Sequence, residues 1–186
     1  MGGSEPGAWI ATSSALVTTS LMIALVGVYA YGRILPVEQQ FSARTVLSTD
    51  IDAVWAVLGD PQLRVAWRPA VERIGQIEDR DGLEVWRELD ADGDRFDFVV
   101  LERVPPRRLV LQIASPEQIG VSGSWTYEIV PVGPASAEVT VTEQTAIDNP
   151  FWRGLSRVTR DPFHTVETEL ELLGAYLDAP GEIQRL

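Results

Sequence analysis

Cysteine and lysine are both missing from the 186 residues, and histidine occurs once, at His164. Without thiols there is no disulfide framework, no thiolate nucleophile and no thiolate metal site. A lone imidazole cannot assemble a zinc centre, and no metal or other cofactor is expected. The absence of lysine excludes Schiff-base catalysis and the Gly-Lys phosphate loop. Basic charge is carried by 15 arginines against 27 carboxylates, a net charge of −12 and a pI near 4.4. Such a chain lacks the basic stripe that displaces counterions from nucleic acid, so no nucleic-acid partner is expected.

What is present is enough apolar material for a core, at 45% hydrophobic residues, with 23% charged residues to cover it. Disorder and a polytopic membrane protein are both excluded by that balance. Between Glu5 and Arg33 no side chain is charged over 27 residues. As a helix this run extends about 40 Å, against a hydrocarbon core of about 30 Å. Trp9 at one end and Tyr29 and Tyr31 at the other suit the two interfaces. A cleaved signal could use Val28-Tyr29-Ala30, but residues 1–7 lack arginine and the apolar run exceeds the usual signal core. Pro6 stands where a myristoylation motif wants Ser or Thr. The spacing therefore predicts a leader at 1–7, a transmembrane helix at 8–32 and a tether at 33–40, broken by Pro36. A domain at 41–179 and a tail at 180–186 follow. Arg33 and Arg44 after the span place that domain on the cytoplasmic side.

Phe41 to Leu47 alternates as a strand, and Ser48 or Thr49 is positioned to cap a short helix ending at Gly59. Asp60-Pro61 pairs a cap with a first-turn proline and opens a second short helix through Trp67. Strands are expected at Val71 to Glu78, Leu83 to Leu89, Arg95 to Val104, Arg108 to Ala114, Gly123 to Pro131 and Ala137 to Ile147. The turns between them are Asp81-Gly82, Ala91 to Asp94, Pro105-Pro106 and a loop with Pro116 and Gly120. Asn149-Pro150 opens a helix that Asp161-Pro162 interrupts, after which Phe163, Val166, Leu170, Leu173 and Leu177 form one buried stripe. Glu167, Glu169 and Glu171 are placed on its solvent side. The expected class is α+β: a seven-stranded curved antiparallel sheet with two short helices and a long C-terminal helix across its concave face.

That order, with Asp60-Pro61 through Trp67-Arg68-Pro69, Pro105-Pro106-Arg107-Arg108-Leu109, Gly123 to Glu128 and Asn149-Pro150-Phe151-Trp152-Arg153, resembles the START-like or Bet v 1-like (SRPBCC) superfamily. The likeness is strongest to its polyketide cyclase/dehydrase and lipid-transport branch. It spans residues 41 to 179 and implies a helix-grip fold with a deep apolar cavity between sheet and C-terminal helix, holding a hydrophobic small molecule or lipid. Against that expectation, Phe96, Phe98 and Val100 share one strand face, as do Leu109, Leu111 and Ile113, then Trp125, Tyr127 and Ile129, then Val139 and Val141. Trp67 is expected near the mouth, with Phe163 and Val166 closing the cavity. The same side chains would equally fill a solid core.

Polar residues in phase with these faces are the more informative candidates. Glu143 continues the Val139 and Val141 series, Glu102 continues Phe96 to Val100, and Arg87 lies between Val85 and Leu89. A buried charge needs a partner, so Arg87 with Glu143 or Glu102 is expected to anchor one end of an amphipathic ligand, unless a bulge changes the phase. His164 is a ligand-contact candidate beside Phe163, with no spacing that fixes a catalytic partner. Asp90 to Asp97 fails as a calcium loop, with Arg95 at the turn glycine and Leu101 at the bidentate glutamate. Three functions fit: a membrane-anchored binder of a hydrophobic molecule, a protein-interaction module with a vestigial cavity whose acidic face or helix around Phe151 and Trp152 docks a partner, and an aromatase-, cyclase- or dehydratase-like enzyme.

Overall fold

The computed structural model describes residues 6–114 and 121–186, with side chains from residue 17 onward. The side chain of Trp9 and the loop with Pro116 and Gly120 lie outside the described residues. Two compact units partition the chain.

The first unit holds residues up to Val37 together with Ile147–Arg160. Its long helix, α1, is Pro6–Ile34. The segment Val17–Ile34 is long and apolar enough to cross a membrane, with a mean hydropathy of 1.4. A shorter helix in this unit, Pro150–Thr159, starts where expected: Asn149 Oδ1 accepts from the Phe151 amide at 2.9 Å, and Pro150 supplies the first-turn φ. Two glycines let the helices touch. A Cβ on Gly154 would meet the Val28 carbonyl oxygen at 2.2 Å, and one on Gly32 would meet the Pro150 carbonyl oxygen at 1.7 Å. Arg153, buried, donates from Nε to the Gly32 carbonyl at 2.9 Å and from an Nη to the carbonyls of Ile147 and Asp148. It thereby satisfies a helix-end carbonyl that has no partner within α1.

The second unit is an antiparallel sheet with helices. In chain order it runs β1 (Glu38–Leu47), α2 (Ile51–Leu58), a 3₁₀ turn (Pro61–Leu63), α3 (Arg64–Trp67), β2 (Val71–Arg80), β3 (Leu83–Asp90), β4 (Arg95–Val104), β5 (Arg108–Ile113), β6 (Ser122–Gly133) and β7 (Ser136–Ala146). With the Pro150–Thr159 helix of the first unit numbered α4, the last helix is α5 (His164–Tyr176), followed by β8 (Gln184–Arg185). The sheet order is β2-β3-β4-β5-β6-β7-β1-β8. Asp81 and Gly82 both take positive φ, as the tight β2–β3 turn demands.

Four local expectations need correction. The sheet has eight strands, because Gln184 and Arg185 in the expected tail pair with Arg44 and Ala43 on the open side of β1. Arg185 is held there by Glu167 Oε1 at 2.6 Å and Asp161 Oδ2 at 2.8 Å, with its guanidinium 4.8 Å from the Phe163 ring. Strand β1 begins at Glu38, leaving only Leu35 to Val37 between α1 and the sheet. The cap of α2 is Asp50, whose Oδ1 accepts from the Ala53 amide at 2.8 Å, in place of Ser48 or Thr49. The terminal helix is split as Asp161-Pro162 predicts, and Glu169 is buried on α5 beside Val166, Leu170 and Leu173.

Helix α5 packs on β1 and β7, while α2 packs on β6 and β7. Between them Leu47, Val54, Ile129, Val139, Val141, Leu170 and Leu173 form the solid part of the core. Burying each such side chain stabilises the fold by about 1.5–3 kcal/mol.

Candidate functional site

Away from that solid region, strands β3, β4 and β6 with α3 and the start of β2 surround a pocket of about 200 Å³. Phe96, Phe98 and Trp125 make its apolar wall, with Phe98 and Trp125 edge to face at 5.6 Å. Tyr127, Arg64, Arg68, Glu88, Asp90 and Glu169 supply the polar lining. Val71 and Ala70 complete it, and exposed Ala70 marks the rim. A larger trough of about 510 Å³ at the ends of β1, β6 and β7 is lined largely by polar side chains such as Gln40, Gln112 and Gln144 and has no aromatic wall.

The polar lining is a chain of alternating charges. Arg64 Nε donates to Glu88 Oε1 in a buried contact. Arg68 bridges Glu88 Oε2 at 3.3 Å and Glu169 Oε1 at 2.7 Å, and Glu169 Oε2 accepts from the Tyr127 hydroxyl at 3.0 Å. All four carboxylate oxygens are therefore partnered. Burial, and then the neighbouring Glu169 charge, push the Tyr127 hydroxyl well above its ordinary value, so it stays a donor. The arginines also stack on aromatics, with Arg64 5.8 Å from the Trp67 and Phe98 ring centres and Arg68 6.0 Å from Trp67. Arg68 is the most accessible member of the four ions, its side chain 21% exposed against 8% or less for Arg64, Glu88 and Glu169. Ion clusters of this kind return little net stability against well-packed apolar residues. Their cost, set against an aromatic wall, makes this pocket the candidate site.

The structure brings Phe96, Phe98, Trp125 and Tyr127 to this pocket. Leu111 lines a small adjoining void with Arg64 and Glu88, while Val100 and Val141 belong to the packed core. Trp67 is buried, away from the mouth, under the two arginines; its Nε1 has no hydrogen-bond partner among the described residues. Phe163 packs edge to face on Phe41 at 5.4 Å, and neither Phe163 nor Val166 lines the pocket; α5 contributes only Glu169. His164 is exposed at the first residue of α5.

The expected polar anchor does not form. Arg87 lies on the opposite face of β3, where it makes a two-point pair with its cross-strand neighbour Asp97 at 2.7 and 2.8 Å. That bond, reinforced by Arg87 and Arg80 charges against the opposing cost of burial, holds the Asp97 carboxyl below its usual range. Glu102 leaves the Phe96 to Val100 phase because the β4–β5 register slips between Val100 and Glu102; it pairs with Arg108 at 2.9 Å in solvent. Glu143 is half-buried against Thr165 of α5, and its loss of water raises its pKa, with a smaller push from Glu169. The side chains missed from sequence are Arg64, Arg68, Glu88, Asp90 and Glu169. One signal existed: Glu169 stands three residues after Val166 and one before Leu170, at the border of the apolar stripe.

Residues 38–172 match the family described as polyketide cyclase / dehydrase and lipid transport. Among solved structures, a norcoclaurine synthase point mutant from Thalictrum flavum, in complex with a transition state analogue, superposes with a TM-score of 0.59 at 13% identity, covering 77% of this chain and 96% of that one. The ZhuI aromatase/cyclase from Streptomyces sp. R1128 gives 0.57 at 14% identity, covering 76% and 94%. The di-domain aromatase/cyclase BexL gives 0.61 at 15% identity, covering 95% of this chain and 61% of that one. At these identities the likeness is one of fold. No curated protein matches the sequence.

Proposed function

The chain belongs to the polyketide cyclase / dehydrase and lipid transport family, and from that premise we propose that it is a membrane-anchored binder of a neutral hydrophobic molecule, seated in the Phe96–Phe98–Trp125 pocket. The observation that carries the reading is an aromatic wall opposite a fully paired ion chain. An apolar ring lies on the wall while the remaining N–H groups of Arg68 meet an acceptor oxygen on the ligand. Three carboxylates line the pocket against two guanidinium groups, so an anionic ligand is repelled. A cavity of roughly 150 Å³ takes a benzene ring. At about 200 Å³ this pocket takes a ring or the end of a larger molecule. The Val17–Ile34 span holds the domain at a bilayer, on the cytoplasmic side by Arg33 at its end and Arg44 beyond it.

The test is saturable uptake of naphthol by the full chain in nanodiscs, over empty nanodiscs, with naphthalenesulfonate as the anionic comparison. Naphthol is expected to bind at least tenfold more tightly than the sulfonate, and Ala70→Trp, which plugs the rim, is expected to abolish uptake. Equal uptake by the plugged variant, or none by the parent together with no apolar molecule in native mass spectra, overturns the reading.

A second reading, catalysis, has one observation in its favour: the Tyr127 hydroxyl and Glu169 carboxylate stand 3.0 Å apart on the pocket wall, a donor and an acceptor beside a bound carbonyl. Turnover of a polyketide-type substrate that Tyr127→Phe abolishes, with naphthol uptake intact, selects it.

A further inference from the structure

Helix α4 presents two large apolar side chains to solvent, Trp152 at 58% and Val158 at 63% exposure. Successive residues turn 100°, which sets Phe151, Leu155 and Val158 on one face and Arg153, Arg157 and Arg160 on or just beyond the other side. Such a face needs a cover, and the structure says where α4 sits: Gly154 rests on the Val28 carbonyl and Gly32, within the last two turns of the apolar span. Val28 precedes the end of α1 by six residues, about 9 Å along the helix axis. That is the depth at which interfacial helices bury their apolar face, roughly 5–10 Å into the headgroup boundary.

Charge singles out the same unit. Its residues carry four arginines against two carboxylates, Glu5 and Asp148, while the rest of the chain has 11 arginines against 25 carboxylates. In a strongly acidic protein the basic excess is concentrated beside the span.

We propose that α4 lies in the interfacial layer of the bilayer that α1 crosses, with Phe151, Leu155, Val158 and Trp152 at the acyl boundary and Arg157 and Arg160, rather than the buried Arg153, at the phosphates of anionic phospholipid. This rests on the reading of α1 as a membrane span. It assigns Phe151 and Trp152 a lipid surface in place of a partner protein. Tryptophan and arginine are the side chains that such a boundary favours.

The cysteine-free chain makes the test direct. Single substitutions Trp152→Cys, Ser156→Cys, Val158→Cys, Arg160→Cys and, in α1, Val26→Cys are spin-labelled in the full chain, reconstituted in nanodiscs of phosphatidylcholine with phosphatidylglycerol. Collision with oxygen is expected to exceed collision with a water-soluble nickel chelate at 26, 152 and 158, and the reverse at 156 and 160. Omitting phosphatidylglycerol is expected to lower the oxygen preference at 158 at least twofold. Uniform chelate access from 152 to 160 with Val26 still in lipid overturns the interfacial helix and leaves the span standing. Chelate access at Val26 overturns both. An oxygen preference at 158 that ignores phosphatidylglycerol overturns the headgroup assignment.

Discussion

Glu88→Gln tests the ion chain with the least change of shape. The amide keeps an oxygen acceptor toward Arg64 and loses the charge that compensates two guanidinium groups. Arg64, with 8% of its side chain exposed, is largely desolvated and loses its ion partner, and Arg68 keeps only Glu169. Removing one partner of a buried pair costs about 3–5 kcal/mol, because the remaining charge stays desolvated. In a chain of this size 1 kcal/mol moves the melting temperature by roughly 2–4 °C, so a fall of roughly 6–20 °C is expected. Near-ultraviolet circular dichroism of the detergent-solubilised full chain reads it. Arg64→Met in the same background supplies the decisive control. With both charges gone the double variant is expected to recover at least about 1 kcal/mol relative to the sum of the two single losses. A Glu88→Gln variant melting within a degree of the parent, or strict additivity with Arg64→Met, refutes the claim that these charges depend on each other.

Tyr127→Phe removes the hydroxyl donated to Glu169 and is expected to cost about 1–3 kcal/mol of stability, read as a lower melting temperature by circular dichroism. Glu143 holds its proton more firmly folded than unfolded, so its contribution to stability declines as pH rises from the ordinary glutamate value of about 4.3. Glu143→Gln is expected to flatten that part of the melting-temperature profile. Asp97 runs the other way: its pair with Arg87 stabilises above the ordinary aspartate value of about 3.9 and is lost as pH falls through the depressed value. With Arg87 42% exposed, Asp97→Asn is expected to cost only about 1 kcal/mol at neutral pH, less in high salt, and nothing in strong acid. Gly154→Ala places a methyl group against the Val28 carbonyl, and faster amide hydrogen exchange across α4 is the expected readout.

How much of this was legible depended on how local the signal was. Asp60-Pro61 and Asn149-Pro150 fix helix starts through contacts two residues away, and β4 is bounded by turns at both ends, so both are readable from neighbours. Aromatic alternation in β4 and β6 placed Phe96, Phe98, Trp125 and Tyr127 on one face, and the pocket lies there. Strand β3 was ambiguous because both its faces are partly covered: Val85 is buried beside Val99 on one, Trp86 beside Phe98 on the other. Alternation alone could not decide whether Arg87 or Glu88 pointed inward. The slip after Val100 moved Glu102 out of phase without any glycine or proline to announce it. Arg64 and Arg68 became site residues through partners 20 or more positions away, a distance that no local pattern reaches.

The final strand guards more than its size suggests. Without Arg185 and Gln184 beside them, Ala43 and Arg44 would show bare amide and carbonyl groups along the rim of the sheet, a template for another molecule's backbone. Arg185, clamped by two carboxylates and lying over a phenylalanine ring, joins Gln184, bonded by Arg44, in keeping that border covered. Neutralising Arg185 should show first as turbidity on storage, before any loss of binding.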